Sequence, residues 1–194
     1  MLSAAEIARG VRGALGFLQR DRAAPLHFEN TMEACLRSFQ VMMLTAPLYA
    51  FYLAIYYAGI TYTADDIDVL LAEGLRYIVD WLLFPVIFYE IARRRGWLSR
   101  YPRYIGALNW INLPATAVAV VGMVVETAAP TALALIVHVS LQGLFFYWFL
   151  VTTRIVLGVN WGMSVALLAA NWLPSLFLSL LVARYIGVVT LSGG

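Results

Sequence analysis

Apolar positions in this chain gather into runs of about twenty residues, parted by short polar joints. The runs fall at about 36–60, 69–92, 104–125, 131–153 and 163–186. As helices rising 1.5 Å per residue, each reaches across a hydrocarbon core of ~30 Å. The pattern predicts an all-α, polytopic membrane protein: a five-transmembrane-helix bundle carrying an N-terminal amphipathic helix. Residues 1–29 form the cytoplasmic N-terminal segment and residues 30–194 the five-span membrane domain.

Within the N-terminal segment, Ser3 and Glu6 have the spacing of a capping box, so a helix starts there. Ile7, Val11, Ala14, Leu15 and Leu18 line one side, flanked by Arg9, Arg12 and Arg20. A basic amphipathic helix of this kind suits an anionic membrane surface, although Gly10, Gly13 and Gly16 weaken it as a free helix. Asn30 with Glu33 is expected to open the first span, which carries Pro47 and a crowd of tyrosines, the later ones suited to the interface.

The second run is the unusual one. Thr63 and Asp66 have capping-box form, and a helix from there to Ala92 would measure about 45 Å. Asp65, Asp66 and Asp68 sit where carboxylates favour a helix N-terminus. Inside the apolar run, Glu73, Arg76 and Asp80 fall at i, i+3 and i+7 and share one face. Charge at this depth is costly unless paired, which makes the triad the first functional candidate. A structural reading stands beside it: Arg76 reaches both carboxylates, and the ion pair fixes helix rotation. In the fourth run, His138 and Gln142 lie one turn apart. Facing Asp80, they would make a carboxylate–imidazole relay.

The polar joints set the orientation. Arg9, Arg12, Arg20, Arg22 and Arg37 precede or open the first span, and Arg93, Arg94, Arg95, Arg100 and Arg103 join the second to the third. Arg154 joins the fourth to the fifth, and the intervening joints hold no arginine. The positive-inside rule then puts the N-terminus in the cytoplasm and the C-terminus outside.

Composition agrees with the pattern. The 194 residues are 62% hydrophobic and 12% charged, against about 25% charged in a soluble domain. A net charge of +2 gives no footing for nucleic acid. One cysteine, Cys35, excludes an intramolecular disulfide. No metal-ligand spacing, nucleophile elbow or phosphate loop occurs, so neither a metal, a cofactor nor an enzymatic activity is expected. LNWINLP (108–114), VNWG (159–162) and ANWLP (170–174) each set Asn beside Trp, without the fixed period of a true repeat.

The stretches CLRSFQVMMLTAPLYAFYLA (35–54), RYPRYIGALNWINLP (100–114) and RIVLGVNWGMSVALLAANWLPSLFLSLL (154–181) resemble uncharacterised five-span inner-membrane proteins of alphaproteobacteria. These in turn are distantly similar to the Yip-type (Rab-interacting) membrane proteins. The resemblance implies an N-in, five-span protein of the bacterial inner membrane with a periplasmic C-terminus. The eukaryotic members of that family are linked to vesicle traffic and membrane shaping. The Glu73–Arg76–Asp80 face departs from the family pattern.

Two functions are therefore expected. The first is a non-enzymatic membrane organiser or scaffold acting through Arg9, Arg12, Arg93, Arg94, Arg95, Arg100 and Arg103. Its partners would be the bilayer, anionic lipids, and a membrane protein or second copy of the chain. The alternative is a small transporter or proton-conducting subunit using Asp80, Arg76 and His138. The two part on whether Asp80 is sealed among apolar neighbours or faces a cavity.

Overall fold

A computed structural model describes residues 2–188. The chain is 84% helical, with no strand among the described residues. Seven α-helices follow in order: α1 (Ala4–Leu18), α2 (Met32–Ser38), α3 (Val41–Ala58), α4 (Asp66–Arg95), α5 (Tyr101–Ala128), α6 (Thr131–Leu157) and α7 (Trp161–Tyr185). By length and composition, four helical segments are apolar enough to cross a membrane: α2–α3 together, α5 with its preceding turn, α6 and α7. The fifth, α4, has the length but carries too much charge to qualify on composition.

The capping box of α1 forms as its sequence predicts. The Ser3 hydroxyl accepts the Glu6 N–H at 3.2 Å, and the Glu6 carboxylate accepts the Ser3 N–H at 2.8 Å. That backbone bond above all, then the Ser3 hydroxyl, with Arg37 and Arg9 adding attraction, holds the Glu6 carboxyl below its ordinary 4.5. A depressed folded pKa contributes stability above the unfolded value and loses it as pH falls. We expect hydrogen-exchange protection of residues 4–8, corrected for intrinsic rates, to fall below about pH 4.5. A Glu6→Gln variant should lack that acid dependence; retention of it would assign the effect elsewhere.

The face on which α1 is buried differs from the expected one. Gly10, Gly13, Ala14 and Phe17 are buried against α5, α6 and the 3₁₀ turn Ala24–His27, whereas Leu15 is 43% exposed. The reason is close approach. A Cβ on Gly10 would lie 2.2 Å from the Trp110 ring, and one on Gly13 would lie 2.7 Å from Phe28. The Trp148 indole N–H donates to the Ala14 carbonyl at 2.9 Å, fixing the contact. The glycines that weaken this helix in isolation are what let it dock.

Other boundaries shift for physical reasons. Thr31, not Asn30, caps α2 by accepting the Ala34 N–H. Asn30 instead donates to the Ser99 carbonyl and accepts from the Arg103 N–H, bridging to the α4–α5 joint. The first span is broken at Phe39–Gln40 into α2 and α3. Helix α4 starts at Asp66 with no side-chain cap. Thr63 gives its N–H to the Ile186 carbonyl, tying the α3–α4 joint to the end of α7. At the other end α4 runs on to Arg95 and stops where Gly96 takes φ +71°, a left-handed conformation open to glycine. What the sequence suggests is a free basic loop is thus only a few residues long.

The spans close around a centre. Helix α5 packs on α3 and α6, α7 packs on α6 and α4, and α4 returns to α3 through side chains. Ion pairs apart, the chain has two ends of unlike charge. Arg184 is the one arginine near the α3–α4 and α5–α6 joints, and Arg76 lies at mid-depth. Every other arginine lies at the end formed by α1, the α4–α5 joint and the α6–α7 joint.

Candidate functional site

Glu73 is 4% exposed, and every oxygen it owns is engaged. The Tyr57 hydroxyl donates to Oε1 at 2.6 Å and the Tyr49 hydroxyl to Oε2 at 2.9 Å. Arg76 Nε donates to Oε2 at 2.8 Å. The same guanidinium donates to the Tyr49 hydroxyl, to Ser179 on α7 at 3.1 Å, and to Asp80 Oδ2 at 3.5 Å. One cation therefore joins α3, α4 and α7. The tyrosines at 49 and 57 are donors to a buried carboxylate.

Asp80 is different. Its nearest cation contact is the long one to Arg76, the Ser175 side chain of α7 lies beside the carboxyl group, and its Oδ1 is buried with no well-formed hydrogen bond. With Glu73 and Arg76 neutralising one another, an ionised Asp80 leaves the triad one negative charge in excess.

That carboxylate lines a cavity of about 410 Å³ at the centre of the bundle, to which α3, α4, α5, α6 and α7 all contribute. Asn109, Asn112, Thr116, Gln142 and Asn171 add polar side chains to the wall. Tyr49, Tyr52, Trp81, Phe84, Phe145, Phe146 and Trp172 give it aromatic faces. Below it, toward the arginine-rich end, Phe84, Phe88, Tyr104 and Phe149 stack edge to face, and the Tyr104 hydroxyl meets Thr153 at 2.8 Å. This plug is fully buried at Phe88 and Tyr104.

The expected polar set is split. Asp80 and Gln142 line the cavity, and Glu73 and Arg76 lie outside its lining, joined to Asp80 through the Arg76 guanidinium. His138 does not face Asp80. Its Nδ1 lies 3.4 Å from Glu126, and the side chain is 64% exposed. Counted from the same end of the bundle, His138 lies about 10 Å along α6 and Asp80 about 21 Å along α4, so their depths do not match. Glu126 and His138 line a smaller cavity of about 90 Å³ that shares Tyr52, Ala119, Gln142 and Phe145 with the central one.

The three Asn–Trp pairs do not repeat one role. Asn109 donates to Ser38 at 2.9 Å and lines the cavity, Asn160 caps α7, and Asn171 lines the cavity from α7.

Much of the arginine-rich face is occupied by its own protein. Arg9 pairs with Glu29, and Arg93 and Arg94 both pair with Glu90. Arg100 donates to the Leu157 carbonyl at the end of α6, and Arg103 donates to the Phe28 carbonyl. Among the described residues, Arg12 and Arg95 have no hydrogen-bond or ion-pair partner. No cluster of three or more metal-ligating side chains occurs among the described residues. Compared with known proteins, the chain matches no family model, no curated protein and no solved structure. The likeness to Yip-type proteins stands on its three sequence stretches alone.

Proposed function

We propose that this is a five-span membrane protein that takes a small organic cation into its central cavity, as a transporter or channel-like subunit does. The observation that carries the reading is the Asp80 Oδ1, buried and unpartnered on an aromatic wall. A cationic ligand would supply the missing counter-charge, and Tyr49, Tyr52, Trp81 and Trp172 offer faces for cation–π contact. Asn112, Gln142 and Asn171 would orient its polar atoms. Arg76 holds Asp80 from behind and does not fill the site. His138 has no direct part in it.

The reading takes α4 as the fifth span, and the surface of the helix supports this. Its exposed positions from Leu70 to Tyr89 are Leu70, Leu71, Gly74, Leu75, Ile78, Leu82, Val86 and Tyr89, with no charge among them. All three charges of the run turn inward. That is the arrangement expected of a helix with lipid on one side and a polar interior on the other. On this reading the arginine-rich end, with α1 and the N-terminus, lies in the cytoplasm of a bacterial inner membrane and the C-terminus outside, as the positive-inside rule supports. The scaffold alternative rests on the arginine-rich face, and the pairing of Arg93, Arg94, Arg100 and Arg103 within the chain leaves it less free charge.

The test is labelling with dicyclohexylcarbodiimide, an apolar reagent that modifies protonated carboxyl groups. Wild-type protein in liposomes should label, Asp80→Asn should not, and tetraethylammonium or a larger organic cation should slow the wild-type reaction roughly tenfold. Labelling that is independent of Asp80, or indifferent to every cation tried, would remove the ligand site from this reading.

A further inference from the structure

A second concavity lies away from the centre, where the joint after α1 meets the end of α6 and the start of α7. Its volume is about 400 Å³, and Arg20, Arg22, Val151, Arg154, Ile155 and Trp161 line it. Three guanidinium groups thus share one small site with no acidic group in its lining. The nearest acid along the chain, Asp21, is engaged with backbone, its Oδ1 accepting the Ala23 N–H at 2.8 Å. Like charges brought together this way repel, and a protein retains such an arrangement where an anion offsets it.

Two of the three arginines are held in place. The Arg154 guanidinium lies 4.2 Å from the centre of the Trp161 ring, and its Nε is buried with no partner. Arg20 gives its Nε–H to the Tyr147 hydroxyl at 2.8 Å while stacking over that ring. Its backbone is also unusual. Arg20 is the one non-glycine residue with positive φ, +57°, among the described residues. It closes α1 in the manner usually given to glycine, with its N–H on Phe17 and the Asp21 N–H on Gly16. An arginine kept in a left-handed conformation that glycine would adopt freely points to a use for its side chain. Arg22 is exposed and makes no hydrogen bond or ion pair among the described residues.

We propose that this concavity is a binding site for a phosphate-bearing anion, its most suitable occupant being the headgroup of an anionic glycerophospholipid. Planar guanidiniums recognise phosphate oxygens by paired hydrogen bonds. Val151, Ile155 and Trp161 supply apolar surface beside them for the glycerol and first acyl carbons. The place in the bundle suits a lipid: the site sits at the arginine-rich end of α6 and α7, and Trp161 is 45% exposed there. It is independent of the central cavity and shares no lining residue with it.

The experiment uses the full-length protein in nanodiscs of phosphatidylcholine with graded phosphatidylglycerol, and native mass spectrometry counts the lipids retained. Wild-type protein should hold one phosphatidylglycerol beyond the number held by Arg22→Gln/Arg154→Gln, with affinity weakened roughly tenfold or more in the double variant. Arg22→Gln alone, at an exposed side chain without partners, should weaken it several-fold and guards against a folding defect at Arg154. Inorganic phosphate added at millimolar concentration distinguishes the sources. Failure to displace the lipid supports the lipid site, whereas displacement with the same arginine dependence supports a site for free phosphate. Equal retention by wild type and both variants, with no phosphate binding to either, overturns the proposal.

Discussion

Replacing Arg76 with methionine should destabilise this protein by about 3–5 kcal/mol, the scale seen when one member of a buried ion pair is removed. The guanidinium is the only cation bonded to Glu73, and Glu73 is 4% exposed. Without it, two buried carboxylates would face one another's field with only tyrosine hydroxyls to help. The loss also unties α7, since the bond to Ser179 goes with the side chain. Asp80→Asn should behave otherwise. It leaves Arg76 bonded to Glu73, Tyr49 and Ser179, and we expect a change within about 1 kcal/mol. Glu73→Gln combined with Arg76→Met should recover much of the loss, because one of the Tyr49 and Tyr57 hydroxyls can still donate to the amide oxygen while the other accepts from the amide N–H. Unfolding in bicelles by graded denaturing detergent would measure all four proteins. An Arg76→Met variant as stable as wild type would show that the triad contributes nothing to the fold.

That contrast separates what the chain's pattern discloses from what it conceals. Spacing alone puts Glu73, Arg76 and Asp80 on one helical face and pairs the arginine with both acids, and both contacts form. Spacing cannot say which acid is sealed and which is open, because that depends on neighbours from other helices. Tyr49 and Tyr57 come from α3, and the cavity is lined by α3, α4, α5, α6 and α7 together. A hint was present in depth. Asn112, Thr116 and Asn171 lie, like Asp80, ten or more residues from the nearer helix end, which at 1.5 Å per residue puts them at similar levels. The same arithmetic separates His138 from Asp80, so the expected relay fails on a length that the sequence contains.

The spans themselves are legible because a twenty-residue apolar run has few other uses. Helix α4 is the instructive exception. Its charge keeps it from qualifying on composition, while Glu73, Arg76 and Asp80, the three charges of its apolar run, fall on the face turned inward. A count of charges discards their angular position on the helix. For the arginine-rich joints the reverse holds. Their charge count is plain in the sequence, but Arg100 and Arg103 are engaged with backbone carbonyls of α6 and of the segment before α2, partners far along the chain. Counting arginines overstates how many are free.

The docking of α1 is the part least visible in the sequence, and it leads to the second large effect. Gly10→Val should dislodge α1 from α5 and lower stability by about 3 kcal/mol or more. The Cβ that any substitution adds would lie within 2.2–2.6 Å of three ring atoms of Trp110, itself buried at 8% exposure. An indole ring cannot yield by a rotamer change of its tip, so the helices must part, and overpacking of this kind exceeds the usual 1–3 kcal/mol. Gly74→Ala is the matched control. No atom lies within 4 Å of its added Cβ, so only helix propensity changes, and stability should rise by about 0.5–1 kcal/mol. Hydrogen exchange of residues 4–18 reads the docking directly, with the Trp148 to Ala14 bond as its anchor. Fast exchange confined to α1 in Gly10→Val, with the spans still protected, is the expected result. Protection equal to wild type would mean that the Trp110 contact does not hold the helix, and the tight glycine face would have lost its explanation.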